Sequence, residues 1–164
     1  MKIESIFLWF ANGNLSGNEV KLYIPLDAQH LQEGANQIFD FISKTSIQHQ
    51  SKIADKIRND NIVIRVNNLN DAQTIINFVN SNNYLREGLI KVNPFLPNCN
   101  GVGITMDNSY SFNSTLCNII CNFVFHLKQQ NALNLLTIEN LNIYIKDNIE
   151  CFGFRFKRYI QFTL

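Results

Sequence analysis

Apolar residues recur along this chain in two rhythms, every second position and every third or fourth, and the switches between them outline its elements. From Ile3 to Phe10, one side of the chain carries Ile3, Phe7 and Trp9 and the other carries Ile6, Leu8 and Phe10. Apolar residues on both sides predict a strand covered on both faces. The turn formers Asn12-Gly13-Asn14 and Ser16-Gly17-Asn18 then lead, by a loop or hairpin, into a strand over Glu19 to Leu26, with Pro25 fitting an edge or a terminating position. Asp27 is a good N-cap for an amphipathic helix running to about Lys44, with Ala28, Leu31, Ala35, Ile38, Phe39 and Ile42 on its apolar stripe. Gly34 inside that helix costs about 1 kcal/mol relative to Ala. Ile47 to Ile57 is polar and reads as a short strand plus a turn, whereas Asn61 to Val66 is the clearest strand of the chain. Asn70 or Asp71 caps a second helix that turns Ala72, Ile75, Ile76 and Val79 inward and ends near Asn82-Asn83.

Leu89 to Val92 predicts a short strand, and Pro94 and Pro97 then force an extended, irregular segment. Gly101-Val102-Gly103 lacks the further glycine and lysine of a phosphate-binding loop and reads as a turn. A third helix, capped by Ser111 or Asn113 and reaching about residue 130, has the most regular stripe: Leu116, Ile119, Ile120, Phe123, Val124 and Leu127. Beyond it, Leu141, Ile143 and Ile145 and then Phe152, Phe154 and Phe156 alternate, which predicts a C-terminal β-hairpin turning at Asp147-Asn148. A strand, Asp-Ala-Gln and an apolar helix occur twice, at Lys21 to Ile42 and at Ile62 to Val79, so both helices are expected on one face of a shared sheet. No linker or compositional break divides the chain. The pattern predicts one domain over residues 1–164 of α+β class: a mostly antiparallel sheet with about three amphipathic helices packed on one face.

Composition changes this picture little. Of 164 residues, 46% are hydrophobic, enough for a core and against intrinsic disorder. Only 16% are charged, and asparagine fills much of the polar surface, interleaved with periodic apolar positions rather than forming a prion-like tract. A net charge of +1 gives no field suited to a general nucleic-acid or membrane binder, so neither partner is expected. Arg155, Lys157 and Arg158 read as a solvated strand edge or, alternatively, as an anion site. Cys117 and Cys121 share a helix face, but a structural zinc site needs four ligands and His126 points elsewhere, so buried reduced thiols and no metal are expected. Reduced thiols, a short N-terminal apolar stretch interrupted by Glu4, and no run long enough to span a bilayer predict a cytoplasmic protein.

The zinc-protease, Walker and nucleophile-elbow motifs are absent from the sequence, and nothing calls for a cofactor. His30 and His126 fall on predicted helices; His49, in a polar segment before a strand, is the histidine suited to acid–base work. Lys21 and Arg65 fall on predicted neighbouring strands, with Lys52, Lys56 and Arg58 between them. One sheet can gather these into a patch whose repulsion a bound anion relieves; the alternative is a solvated polar face.

Lys21-Leu22-Tyr23-Ile24-Pro25-Leu26, Ser51-Lys52-Ile53, Arg58-Asn59-Asp60-Asn61-Ile62-Val63-Ile64, Asn93-Pro94-Phe95, Gly101-Val102-Gly103 and Ser111-Phe112-Asn113, interleaved with two helices, resemble in order and spacing the layout of the HopA-type effector family. Members of that family occur as bacterial effectors and beside lanthipeptide-modifying genes. The family is similar in turn to the phosphothreonine lyases, which eliminate phosphate from phosphorylated Ser or Thr. The resemblance, over about residues 19 to 125, implies a phosphorylated peptide or protein as partner and delivery into a host cell. It implies Lys52 as the base that removes the Cα proton, with Lys21 and Arg58 holding the phosphate and Arg65 beside them in the cationic group. Tyr23 stands where the lyases place a histidine acid, and the arginine that follows the family's Ser-Phe-Gly has no counterpart after Ser111-Phe112-Asn113. These departures leave a degenerate lyase or partner subunit, and a non-catalytic effector or inhibitor that binds a partner protein, as alternatives.

Overall fold

β-branched residues set the central strands of this protein, and the helices that follow them bury their stripes on one side. The computed structural model describes residues 7–15, 20–54, 57–93, 96–106 and 112–148. Its residues fall into two compact units, 1–105 and 106–164.

In the first unit, β1 (Phe7–Asn12), β2 (Val20–Ile24), β3 (His49–Ala54), β4 (Ile62–Val66), β5 (Asn98–Cys99) and β6 (Val102–Met106) form one sheet of order β1-β3-β4-β2-β6-β5. The β1–β3, β3–β4, β2–β4 and β5–β6 pairs are antiparallel. The chain is α+β, as its patterning predicts. Helices α1 (Leu31–Thr45) and α2 (Leu69–Ser81) lie side by side, Phe41 stacking on Phe78 with ring centroids 4.1 Å apart. Their buried residues Ala35, Ile38, Ile42, Ile75, Ile76 and Val79 form a core with Val20, Leu22, Ile24, Ile62, Ile64 and Val66. Among the described residues, no helix is long and apolar enough to cross a membrane.

Local chemistry explains the boundaries. Pro25 ends β2, a central strand, and Asp27 Oδ1 accepts from the backbone N–H groups of Gln29 and His30 in the turn that enters α1. Gly34, a weak point of α1 by propensity, is needed for packing: a Cβ there would lie 2.5 Å from Leu26 Cδ1. The cap of α2 is Asn68, whose Oδ1 accepts from Asp71 N, so Asp71 belongs to the first turn rather than to the cap. Asn61 is fully buried and exchanges two hydrogen bonds with the backbone of Leu26, locking the end of β2 beside the start of β4.

Several predicted elements take another form. The short strand predicted in the polar stretch after α1 is not among them: it forms as the six-residue β3. The predicted strand at Leu89 to Val92 shrinks to a bridge between Leu89 and Leu26, because the preceding residues form a short helix, α3 (Asn83–Gly88), capped by Asn82. Asn100 and Gly101, both at positive φ, make the two-residue turn of the β5–β6 hairpin. Strand β1 pairs with β3 at the sheet edge, and Leu8, Trp9 and Phe10 are 61%, 68% and 42% exposed. Two-sided apolarity in β1 therefore marks an exposed edge rather than a strand covered on both faces.

In the second unit, α4 (Phe112–Gln129) buries Phe112, Thr115, Leu116, Ile119, Phe123 and Leu127, while Ile120 is only partly covered. The predicted strand through Leu141, Ile143 and Ile145 is instead a helix, α5 (Ile138–Asn148). Thr137 caps it, its Oγ1 accepting from Asn140 N, and Leu141, Tyr144 and Ile145 then fall at helical spacing. Tyr144 tilts against Phe123 with centroids 5.0 Å apart, so the helical stripe finds a partner that alternation would have split across two faces. Cys117 and Cys121 are free, as expected, but exposed rather than buried. The other half of the predicted hairpin, its Arg155, Lys157 and Arg158, and Cys151 lie outside the described residues.

Candidate functional site

Strand register turns the sequence positions into a surface. Because side chains alternate across a strand, residues directly opposite one another in register share a face. One row across the sheet reads Trp9, Lys52, Val63 and Tyr23; the adjacent row on the same face reads Ala11, Gln50, Arg65 and Lys21. Lys21, Tyr23, Lys52 and Arg65 thus share the face opposite α1 and α2. Arg58 joins them from the β3–β4 connection, close enough for its charge to act on Lys52.

Burial grades across this face. Lys21, Tyr23 and Val63 are almost closed to solvent, whereas Lys52, Arg65 and Arg58 are half-buried. Burial is the main force pushing the Lys52 ammonium below the ordinary lysine range, and Arg58, Lys21 and Arg65 push the same way by repulsion. Two groups oppose it. Asp60 favours the charged form, and the face of the Trp9 ring lies 5.8 Å from Lys52 Nζ, within cation–π range. Asp60 also holds Arg58, accepting from Nε at 2.8 Å and from Nη2 at 3.4 Å.

The structure separates His49 from this group. In register with Asn12 and Val66, it lies on the helix-covered face, 93% buried, with its ring 5.7 Å from that of Phe39. Its Nδ1 is 2.7 Å from Ser51 Oγ, and burial lowers its proton affinity. His49 is a packed, hydrogen-bonded core residue, and the acid–base role expected from its polar surroundings does not fit its position. Gln50, the polar residue that follows it, occupies the other face of the same strand.

Trp9 and Asp60 are the members of the site that sequence reasoning passed over. Asp60 was legible in the Arg58-Asn59-Asp60 spacing, which suits a side-chain pair across a tight turn. Trp9 became visible only through the β1–β3 register. Gly101 and Gly103 do not form a phosphate loop: Gly101 completes a hairpin turn, and a Cβ on Gly103 would meet Leu96 and Tyr23 at 3.2 and 3.3 Å. Gly103 thus makes room for Tyr23. No three His, Cys, Asp or Glu residues converge as a metal site among the described residues.

A half-buried lysine of lowered proton affinity, framed by further cations and a phenol, can bind an anion and can accept a proton in its neutral form. Neither a comparison with protein-family models nor a search of curated proteins finds a match to this chain.

Proposed function

We propose that this protein recognises phosphorylated Ser or Thr in a peptide or protein and eliminates the phosphate. The observation that carries the reading is the sharing of one sheet face by Lys21, Tyr23, Lys52 and Arg65, with Arg58 beside them. Neutral Lys52 takes the Cα proton of the phosphorylated residue, and the electron pair left behind forms the Cα–Cβ double bond as the Cβ–O bond breaks. Lys21, Arg58 and Arg65 hold the phosphate and stabilise the charge it gains. Tyr23 supplies the proton to the departing oxygen from its phenol. The products are a dehydroamino acid in the peptide and inorganic phosphate.

Mass spectrometry of phosphothreonine and phosphoserine peptides incubated with the protein tests this reading. The expected product is lighter than the substrate by the mass of phosphoric acid, and Lys52→Ala slows its formation by about 10²–10⁴-fold. Phosphate release that leaves a free hydroxyl indicates a phosphatase instead. No turnover, with phosphopeptide binding that is lost in Lys21→Ala, leaves a degenerate, phosphate-binding form of the fold.

A second reading draws on β1. Exposed Leu8, Trp9 and Phe10 on an edge strand suit a non-catalytic protein that binds a partner. Absence of both turnover and phosphopeptide binding removes the first reading and leaves this one.

A further inference from the structure

The two edges of the sheet are guarded very differently. At one edge, β5 is two residues long, and Pro97 O takes the N–H of Ile104 beside it. At the other, β1 presents six residues, Phe-Leu-Trp-Phe-Ala-Asn, with no charge, no proline and an unbroken register against β3. Among the described residues, no strand pairs with its outer side. Alternate residues of such an edge point their N–H and C=O groups away from the sheet, and natural edges are kept from pairing by charge, proline, a bulge or shortness. β5 has the last of these protections; β1 has none.

Both sides of the β1 edge are apolar, and its aromatic rings have fixed neighbours. Leu8 and Phe10 stand opposite Ile53 and Ser51 on the helix side, where Phe10 stacks on Phe39 with ring centroids 5.0 Å apart. Trp9, 68% exposed, stands on the other side, its ring beside Lys52 Nζ. A row of outward backbone groups selects an extended strand as its occupant, and the lack of charge on β1 selects a strand that brings no unpaired charge into the junction. A second copy of β1 meets both conditions. Antiparallel pairing about a two-fold axis normal to the sheet sets like face beside like face, so that Leu8 and Phe10 of each copy meet Phe10 and Leu8 of the other, and Trp9 meets Trp9. The opposite edge, two residues of β5, is too short to receive β1, so association cannot run head to tail and closes at two.

We infer that this protein forms a two-fold dimer by antiparallel pairing of β1 with β1 of a second copy. The two sheets join edge to edge, with the cationic faces of both copies on the same side. The inference names a second copy as the occupant of the exposed edge and does not depend on phosphate elimination, which is read separately by mass. A six-residue edge buries less than the roughly 800 Å² per partner of a standard stable interface, so a dissociation constant of about 10–100 μM is expected.

Sedimentation of the full-length chain from about 1 μM to about 1 mM, followed beside the emission of its single tryptophan, Trp9, tests this. The expected result is a monomer that passes to a dimer and no further, with Trp9 emission moving to shorter wavelength in step as the ring leaves water. Amide exchange along β1 should slow over the same range. Leu8→Lys, at a position 61% exposed, should weaken the dimer at least about tenfold with circular dichroism unchanged, because it sets a charge on the pairing edge. Ile143→Lys, exposed on α5, should leave the dimer as it is. A chain that stays monomeric to about 1 mM, association that continues past two, or unchanged affinity in Leu8→Lys would each overturn the proposal. So would a dimer that leaves Trp9 emission and β1 exchange unaltered, or one that Ile143→Lys abolishes.

Discussion

The two faces of the β2–β4–β3 sheet are built from the same strands, one residue out of step, yet they do opposite things. On the helix side, Val20, Leu22, Ile24, Ile62, Ile64 and Val66 are each at most 1% exposed, and α1 and α2 supply further apolar side chains. On the other side the same strands present Lys21, Tyr23, Lys52 and Arg65. The first face gains stability from removing apolar surface from water. The second holds charged groups close together and partly away from water, which works against folding and lowers the proton affinity of Lys52. A single strand thus serves packing on one side and gathers cations on the other, because its side chains alternate. A one-residue slip in register would exchange the two sets and destroy both.

The sharpest way to break the comparison is at Lys52. If the cationic face carries out elimination, Lys52→Ala should reduce the rate by about 10²–10⁴-fold, measured by the mass loss of a phosphothreonine peptide. His49→Gln, on the opposite face, should leave that rate within about a factor of 10. Equal losses from both substitutions would refute the division of labour between the faces.

Next in size is the core. Ile64→Ala, beside Arg65 but on the helix side, should destabilise by about 2–5 kcal/mol in chemical denaturation. Asn61→Ala should cost about 1–3 kcal/mol by leaving the Leu26 backbone groups unpaired. In the second unit, Phe123→Ala should cost about 3–5 kcal/mol, as its buried position on α4 requires.

Smaller, pH-dependent effects sharpen the contrast further. Lys52 binds its proton less tightly in the folded chain than at its ordinary value of 10.5, so its charge opposes folding at neutral pH. That penalty declines as pH rises toward 10.5 and is gone well above it, where folded and unfolded chains both hold neutral lysine. Lys52→Met should therefore raise the denaturation midpoint at pH 7, by an amount that shrinks as the pH climbs. His49 gives the opposite wing: burial lowers its affinity below 6.5, so the unfolded chain takes up the proton first and stability falls as pH drops below that value. In His49→Gln that part of the acid-side loss should vanish. The smallest effect is chemical rather than energetic. Cys117 and Cys121 should react with a thiol reagent in the folded protein, because both are exposed on α4.

Much of this molecule can be read from its residues. The stripes of α1, α2 and α4, the strand at Asn61 to Val66 and the α+β class all follow from local periodicity and turn chemistry, whereas Asp27, predicted as the cap of α1, instead binds the turn before it and His30 stands at the N-cap. The candidate cations Lys21, Lys52, Arg58 and Arg65 were also visible as residue types on neighbouring strands. What failed was short or two-sided pattern. Leu141, Ile143 and Ile145 fit alternation, but Leu141 and Ile145 fit a helix equally well, and contact of Tyr144 with Phe123 decides between them. Apolar residues on both sides of β1 looked internal until its edge position left Leu8 and Trp9 exposed.

The sequence by itself determined which segments are strands of high β propensity, which helices carry an apolar face, and which cations are available. Only the tertiary structure decided that β3 pairs with both β1 and β4, and so which side each residue of β3 presents. Register is a long-range property, set by pairing partners far apart in the chain. It placed Lys52 beside Trp9 and the other cations, and His49, three residues earlier, in the core behind them.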